Sequence, residues 1–204
     1  MPGFSDEERD EIESALVDSA QQLFTLYGFQ KTTVEDITEP VGIAESTFYR
    51  FFDSKTEMYT RVLLREQDEV IDAIESEVEG ITDPERKLER LFRTWATEFE
   101  KRDLLVRSHR EPQNTLRSMN HVDVDEVKSD IIVRVSPIVE DIQANSDGLI
   151  NDLRPEVIFQ LLSVLELIVA QKEAYDEYGW GYSSFKDTVI TILTEGLMGE
   201  RPEK

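Results

Sequence analysis

The chain has 204 residues, of which 39% are hydrophobic, enough for one sizeable core or for a small head joined to a larger domain. It contains no cysteine, which excludes disulfides, thiolate catalysis, cysteine-ligated zinc and thiol redox sensing. No window of about 18 uncharged apolar residues and no basic, apolar leader is present, so the sequence predicts a soluble cytoplasmic protein with no membrane partner.

Charge is the unusual property of this composition. Aspartate and glutamate total 44 against 22 lysines and arginines, which gives a formal net charge of −22 at pH 7. Acidic surfaces keep proteins hydrated and dispersed, so the surplus indicates adaptation to a high-salt cytoplasm, as in a halophile. The alternative that remains open is an acidic surface for a partner in an ordinary cell.

Two helices are predicted before residue 40. The first, at 12–27, has apolar residues at the spacing of one helical face and ends at Gly28. The acidic stretch before it is expected to be solvated surface or a frayed terminus. The second helix begins after Thr33, whose hydroxyl suits an N-cap, and Pro40 and Gly42 end it after about two turns.

A third and a fourth helix follow. The third, at 44–51, carries Phe48 and Phe52 four residues apart, and both rings are expected to be core. The fourth is capped near Ser54 and runs over 55–79. Two short helices around a glycine turn, followed by a long helix, indicate a helix-turn-helix DNA reader joined to a control domain.

A set of motif residues extends through these helices without a break in spacing. They are Leu23-Phe24, Gly28, Thr32-Thr33, Ile37, Gly42, Thr47-Phe48-Tyr49, Phe52 and Ser54-Lys55. In this pattern, which covers about the first quarter of the chain, the sequence resembles the tetracycline-repressor (TetR) family of one-component transcription regulators.

The resemblance implies an all-α fold, with a three-helix helix-turn-helix DNA-binding domain at 1–54 and a helical bundle for regulation and dimerisation at 55–204. It implies a homodimeric repressor that a small-molecule effector releases from a palindromic operator in double-stranded DNA. Three alternatives stay open: an activator, a regulator without a ligand, and a helical scaffold that no longer binds DNA.

The resemblance also implies which residues meet DNA. Residues 44–50 would enter the major groove, and Thr33, Tyr49 and Lys55 would contact phosphate. The full implied set is Thr33, Ala44, Glu45, Ser46, Thr47, Tyr49, Arg50 and Lys55. Simpler roles remain open: an N-cap alone for Thr33, a core-edge ring for Tyr49 and a solvated charge for Lys55.

Ala44 and Glu45 depart from the family pattern, which has a polar N-cap and a lysine there. Residues 1–60 hold thirteen carboxylates and four cations, a formal charge of −9. A carboxylate repels phosphate, so a second interpretation of Glu45 is that it accepts a hydrogen bond from a cytosine amino group. Molar salt would screen the repulsion among exposed charges.

The rest of the sequence predicts helices at 84–102, 104–110, 124–144, from 155 onward, and at 184–198. The helix from 155 is apolar around most of its circumference and needs burial on two sides, one in its own domain and one in a partner. With the last helix, capped by Ser183 or Ser184, it predicts an intersubunit four-helix bundle. The proposed interface residues are Leu161, Leu165, Ile168, Phe185, Val189, Ile192 and Leu193. A monomeric bundle core is the alternative.

A small-molecule pocket inside the C-terminal helices is a further implication of the resemblance. Its candidate residues are Phe92, Trp95, Phe99, His109, Met119, Gln160 and Glu166. If Glu166 lines the pocket, its charge favours a cationic effector; otherwise an apolar or acyl effector is expected. An ordinary core or surface position is the alternative for each residue.

Enzyme motifs are missing from the sequence. It has no Walker A segment, nucleophile elbow or His-Glu-x-x-His motif, and its two histidines are too few for a histidine-rich metal site. The segment after His121 suits the start of a helix better than a calcium loop. No catalytic residue, metal site or cofactor is therefore predicted.

Overall fold

The computed structural model describes residues 5–110, 124–179 and 181–199, apart from the side chains of 109, 110 and 124–130. The regular segments in these ranges are all helical, which confirms the all-α prediction. The helices are α1 (Asp6–Tyr27), α2 (Val34–Thr38), α3 (Glu45–Phe48), α4 (Lys55–Val78), α5 (Pro84–Glu100), α6 (Asp103–Arg110), α7 (Val124–Ala144), a 3₁₀ turn (Leu149–Asp152), α8 (Pro155–Ala170), α9 (Lys172–Glu177) and α10 (Tyr182–Met198). None of the described helices is long and apolar enough to cross a bilayer.

The chain forms two compact units, and the boundary between them falls within α4, after Glu66. The sequence had placed the division at the start of that helix, between residues 54 and 55. The first unit contains α1, α2, α3 and the beginning of α4, and the second contains the remaining helices. α4 therefore contributes residues to both units.

Helix α1 begins six residues earlier than predicted, so of the two alternatives for the acidic stretch the frayed terminus was wrong, whereas solvated surface agrees with its exposed side chains. Ser5 and Glu8 form a capping box: the Ser5 hydroxyl accepts from the Glu8 backbone N–H at 3.2 Å, and a Glu8 carboxylate oxygen accepts from the Ser5 N–H at 2.8 Å. The cap fixes a helical turn where the apolar periodicity has not yet begun, and the first-turn carboxylates suit the helix dipole.

The core of the first unit is aromatic. Phe24 and Phe48 are fully buried and Tyr59 is 2% exposed, with the Phe24 and Tyr59 rings packed edge to face at 5.2 Å. Arg65 binds Asp18 at 2.5 Å, and the Gln21 amide donates to Glu66 at 3.0 Å, so α4 is held against α1. The rigid part of this unit thus extends past the predicted domain boundary.

In the second unit α5 is central, since it packs against α6, α7, α8 and α10. Its start was predicted correctly: Asp83 accepts from the Arg86 N–H at 2.8 Å, and Pro84 occupies the first turn. Pro155 likewise opens α8.

One predicted helix boundary in this unit was wrong. The helix from 155, whose end was not predicted, stops at Ala170 and is followed by a separate short helix, α9. α10 begins at Tyr182, two residues before the predicted start, and its N-cap is Gly181 at φ 67° instead of a serine. Glycine suits this position because the left-handed region costs it no steric penalty.

Candidate nucleic-acid interface

The two short helices α2 and α3 are joined by a turn that depends on Gly42. Its φ is 74°, and its N–H donates to the Thr38 carbonyl at 3.1 Å. After Phe48 the predicted third helix does not continue to residue 51. The Arg50 N–H instead donates to the Thr47 carbonyl at 3.0 Å, which is a tighter turn.

The inner side of α3 is anchored and its outer side is open. Phe48 is fully buried with its ring 5.5 Å from that of Phe52, which confirms that both are core. Of the six predicted DNA-binding residues at 44–50, Thr47 is half-buried and five are exposed: Ala44, Glu45, Ser46, Tyr49 and Arg50.

Tyr49 and Glu45 differ in how they are held. The Tyr49 ring is 51% exposed and packs edge to face on Phe48 at 5.3 Å, so its phenol is supported at the surface. Glu45 is exposed in the first turn and forms no hydrogen bond or ion pair with the residues that the structure describes. The α3 surface therefore presents one supported aromatic hydroxyl and one unpaired carboxylate.

Thr33 caps α2. Its hydroxyl accepts from the Asp36 N–H at 3.1 Å and donates to the Asp36 carboxylate at 2.7 Å. The hydrogen bonds that the Thr33 hydroxyl and the Thr33 backbone N–H donate to this carboxylate lower the pKa of Asp36, against the small opposing effect of burial. The Thr33 hydroxyl already donates its proton to Asp36, so it is not free to donate to a phosphate oxygen in this arrangement. Only the exposed position of Thr33 supports the predicted phosphate contact, which stays a prediction.

Lys55 occupies a position that the sequence did not indicate. Its ammonium donates to the carbonyls of Phe29 and Thr32, at 2.8 and 2.7 Å, and lies 4.3 Å from the Phe29 ring centroid. Burial lowers the pKa of Lys55, while the charge of Asp36 opposes that change. Two of its three N–H groups are used to hold the turn before α2, which leaves one for the predicted phosphate contact.

Two further cations of the first unit differ in their contacts. Arg9 donates to the Arg50 carbonyl at 3.3 Å, and its guanidinium lies 5.1 Å from the Phe51 ring centroid. Lys31 is exposed just before α2 and was missed by the motif comparison. Its presence among only four cations in residues 1–60 was the available indication.

In the second unit, the predicted effector residues of α5 are core. Phe92, Trp95 and Phe99 are 0%, 3% and 2% exposed. The Trp95 Nε1 and the Thr194 hydroxyl are buried and have no hydrogen-bond partner among the described residues. Thr194 was not predicted, because a lone threonine in an apolar helix has no distinctive pattern.

The other predicted effector residues are distributed differently. Glu166 is buried, at 9% exposed. Gln160 is exposed, so its prediction as an inward group was wrong: the neighbouring Ile158 and Leu162 take the inner positions of α8. The side chain of His109 and all of Met119 lie outside the described residues.

The predicted dimer face needs one correction. Leu165 is fully buried within its own chain and cannot contact a partner. The outer side of α8 instead exposes Val164 and Leu167, at 43% and 55%, with Leu161 and Ile168 half-buried beside them. The sequence could not separate these sides because the helix is apolar nearly all round.

On α10 the exposed apolar residues fall where they were predicted. Phe185 is 38% exposed and Ile192 is 62% exposed, with Val189 and Leu193 half-buried. The intervening hydroxyls bond within the helix, Thr188 to the Ser184 carbonyl at 2.8 Å and Thr191 to the Asp187 carbonyl at 3.0 Å. This surface could be covered without leaving those hydroxyl protons unbonded.

Comparison with known proteins gives a family for the first unit. Residues 16–62 match the family of bacterial regulatory proteins, tetR family. The HTH-type transcriptional activator FasR of Mycolicibacterium smegmatis is 28% identical over 80 residues, which cover 39% of this chain and 36% of FasR. The match thus spans about a third of that relative's length.

Solved structures resemble the chain over nearly all of its length. The fatty acid degradation regulator FadR from Bacillus halodurans aligns with a TM-score of 0.66 and 17% identity, over 96% of this chain and 98% of that one. FadR from Bacillus subtilis, solved in complex with stearoyl-CoA, aligns with a TM-score of 0.65 and 17% identity, over 90% and 98%. At this identity the likeness shows the fold alone. The match to the tetR family at residues 16–62 therefore lies within a chain whose fold resembles that of these solved structures over nearly its whole length.

Proposed function

We propose that the protein is a homodimeric transcriptional repressor that leaves a palindromic operator when a small-molecule effector binds its second unit. The DNA-binding part is supported by the outer side of α3, where Ser46, Tyr49 and Arg50 are exposed on a helix anchored by the fully buried Phe48. A short helix held in this way, behind a glycine turn, is the element that enters the major groove in helix-turn-helix proteins.

A second copy of the chain is the proposed partner for the outer sides of α8 and α10. Both helices expose large apolar side chains there, notably Leu167 and Ile192, at 55% and 62%. A two-fold dimer reads two half-sites one DNA turn, or a multiple of it, apart. Since one such head buries little DNA surface, pairing supplies the affinity and the palindromic specificity together.

The proposed effector is an acyl compound bound near α5. The buried stripe of Phe92, Trp95 and Phe99 is apolar, and the unbonded Trp95 Nε1 could donate to a carbonyl group of the ligand. The FadR structure from B. subtilis, a complex with stearoyl-CoA, agrees with this class of ligand. Glu166, buried on α8, is the observation in favour of a cationic effector instead.

Coupling to DNA would run through α4. In the second unit Arg134 of α7 binds Asp72 at 2.5 Å and Glu75 at 2.7 Å, both on α4. The hydrogen bonds that Arg134 donates, first to Glu75 and then to Asp72, raise the pKa of the guanidinium, which therefore keeps its charge. An effector that favours one position of α7 would then bias α4 and the head that continues from it.

The function is tested by selecting bound sequences from a random DNA pool with the purified protein, in molar KCl and in dilute buffer. We expect a palindrome to be enriched in molar salt. If no sequence is enriched in either condition, the result would instead favour the alternative of a helical scaffold that has lost its affinity for DNA.

Operator affinity is expected to depend only weakly on salt. Lys31 and Arg50 are the exposed cations next to α2 and α3, whereas the ammonium of Lys55 and the guanidinium of Arg9 contact groups within the first unit. Two phosphate contacts in each head of a dimer predict a log–log slope of affinity against salt of about −4 or shallower. Fluorescence anisotropy across a KCl series measures the slope, and a markedly steeper value would show that further cations are engaged.

The effector class is tested by release of labelled operator. We expect stearoyl-CoA, but not the quaternary ammonium compound choline, to release the DNA. Trp95→Phe should weaken the stearoyl-CoA response about fivefold, because a neutral hydrogen bond is worth roughly 1 kcal/mol. Release by choline alone, lost in Glu166→Gln, would establish the cationic effector instead.

A further inference from the structure

Glu45 is a base-reading residue: we propose that its carboxylate accepts a hydrogen bond from the N4 amino group of a cytosine in each operator half-site. The inference rests on the proposed DNA-binding function and adds to it one specified base. It assigns a function in DNA recognition to a carboxylate, a group that DNA-binding helices usually avoid near phosphate.

The position of Glu45 brings it to the DNA if α3 enters the major groove. It is the first residue of α3, and the N-terminal residues of a recognition helix are the ones that reach base edges. Ala44, the N-cap residue that precedes it, forms no side-chain cap bond. Phe48 is fully buried and fixes α3 to the core, so α3 cannot easily turn Glu45 away.

The charge of Glu45 is not used within the protein. No hydrogen bond or ion pair joins it to the described residues, in contrast with Asp36, whose carboxylate is held by Thr33 at 2.7 Å. A carboxylate at a DNA surface is repelled by phosphate oxygens, so it is tolerated only where it meets hydrogen-bond donors. In the major groove those donors are the amino groups of cytosine and adenine, and cytosine N4 is the established partner of glutamate.

A simpler role for Glu45 is to stabilise the helix start, since carboxylates are favourable in the first turn. That role requires no contact with a base and predicts no sequence preference. The two roles therefore differ in what an exchange of the side chain does to the selected DNA sequence.

The test repeats the selection from random DNA with Glu45→Ala and Glu45→Gln beside the unaltered protein. Glu39→Gln is the matched control, because Glu39 is also exposed and the substitution removes the same charge, here from the end of α2. We expect the unaltered protein and the control to select cytosine at one symmetric pair of positions, by about tenfold or more over other bases.

Glu45→Ala should lose the preference at that pair of positions alone, and Glu45→Gln should shift it toward adenine, whose N6 and N7 match an amide. An unchanged sequence preference with a uniform gain in affinity would overturn the inference, because Glu45 would then only repel phosphate. That outcome leaves the proposed function intact. Failure of the unaltered protein to enrich any sequence would overturn both.

Discussion

Ile192→Asp is expected to convert the protein from a dimer to a monomer and to abolish tight operator binding. Ile192 is 62% exposed in the single chain, so the aspartate is solvated there and the fold should persist. In the proposed dimer the same side chain is covered by the partner, and two-fold symmetry brings in two carboxylates. An unpaired buried charge costs several kcal/mol, so dimerisation should weaken by at least about 100-fold.

Light scattering measures the oligomeric state, and anisotropy with the selected operator measures DNA affinity. Val133→Asp is the matched control, since Val133 is 67% exposed on α7 and receives the same charge away from the proposed face. It should remain dimeric. If Ile192→Asp also remains dimeric, the outer sides of α8 and α10 are not the interface; if it becomes monomeric but keeps full affinity, reading of the operator does not require a pair of heads.

The helices that sequence reasoning located well are those bounded by residues with special backbone geometry. Gly28 ends α1 at φ 80°, and Pro84 and Pro155 open their helices. The start of α1 could also have been predicted, because Ser5 and Glu8 have the spacing of a capping box. It was missed because the run of carboxylates was interpreted as surface or a frayed terminus. The break after Ala170 has neither glycine nor proline to announce it.

The candidate site was predictable in its position but not in its contacts. The motif predicts the start of α3 to within one residue, although the helix ends at Phe48 instead of residue 51. Lys55, however, donates to carbonyls 23 and 26 residues earlier in the chain, and no local pattern reports such a contact. Leu165 and Leu167 are equally apolar, so only tertiary packing decides that one is buried and the other exposed.

A second large effect is expected from Glu100→Gln. Glu100 ends α5 and holds two lysines: its carboxylate oxygens lie 2.5 Å from the Lys172 ammonium and 2.6 Å from that of Lys186. The Tyr182 hydroxyl donates to it at 3.2 Å. Burial raises the pKa of Tyr182, and the charge of Glu100 raises it further, so the phenol keeps this proton. The carboxylate thus joins α5 to both α9 and α10.

Glutamine has the shape of glutamate but cannot neutralise two ammonium groups. The Lys186 side chain is only 13% exposed and the Glu100 side chain 22%, so water compensates the lost charge incompletely. Lys172, at 44% exposed, is better solvated and reduces the expected cost. We expect the free energy of unfolding to fall by about 2 kcal/mol at neutral pH, within the range for hydrogen bonds to charged groups. Glu85→Gln, at an exposed position of the same helix, should change it little.

The pH dependence of the unfolding free energy distinguishes loss of the Glu100 charge from a change in the shape of the side chain. Burial acts to raise the pKa of Glu100, but hydrogen bonds from Lys172 and Lys186 outweigh it and hold that pKa below its ordinary value of 4.5. The unfolded chain therefore takes up this proton first as the pH falls, and the stabilisation present above pH 4.5 is lost as the pH passes through the folded-state pKa. Urea unfolding across this range should show the difference between the unaltered protein and Glu100→Gln shrinking in acid. A difference that stays constant with pH would mean that the amide disturbs packing, and that the paired charge at Glu100 does not stabilise the junction of α5, α9 and α10.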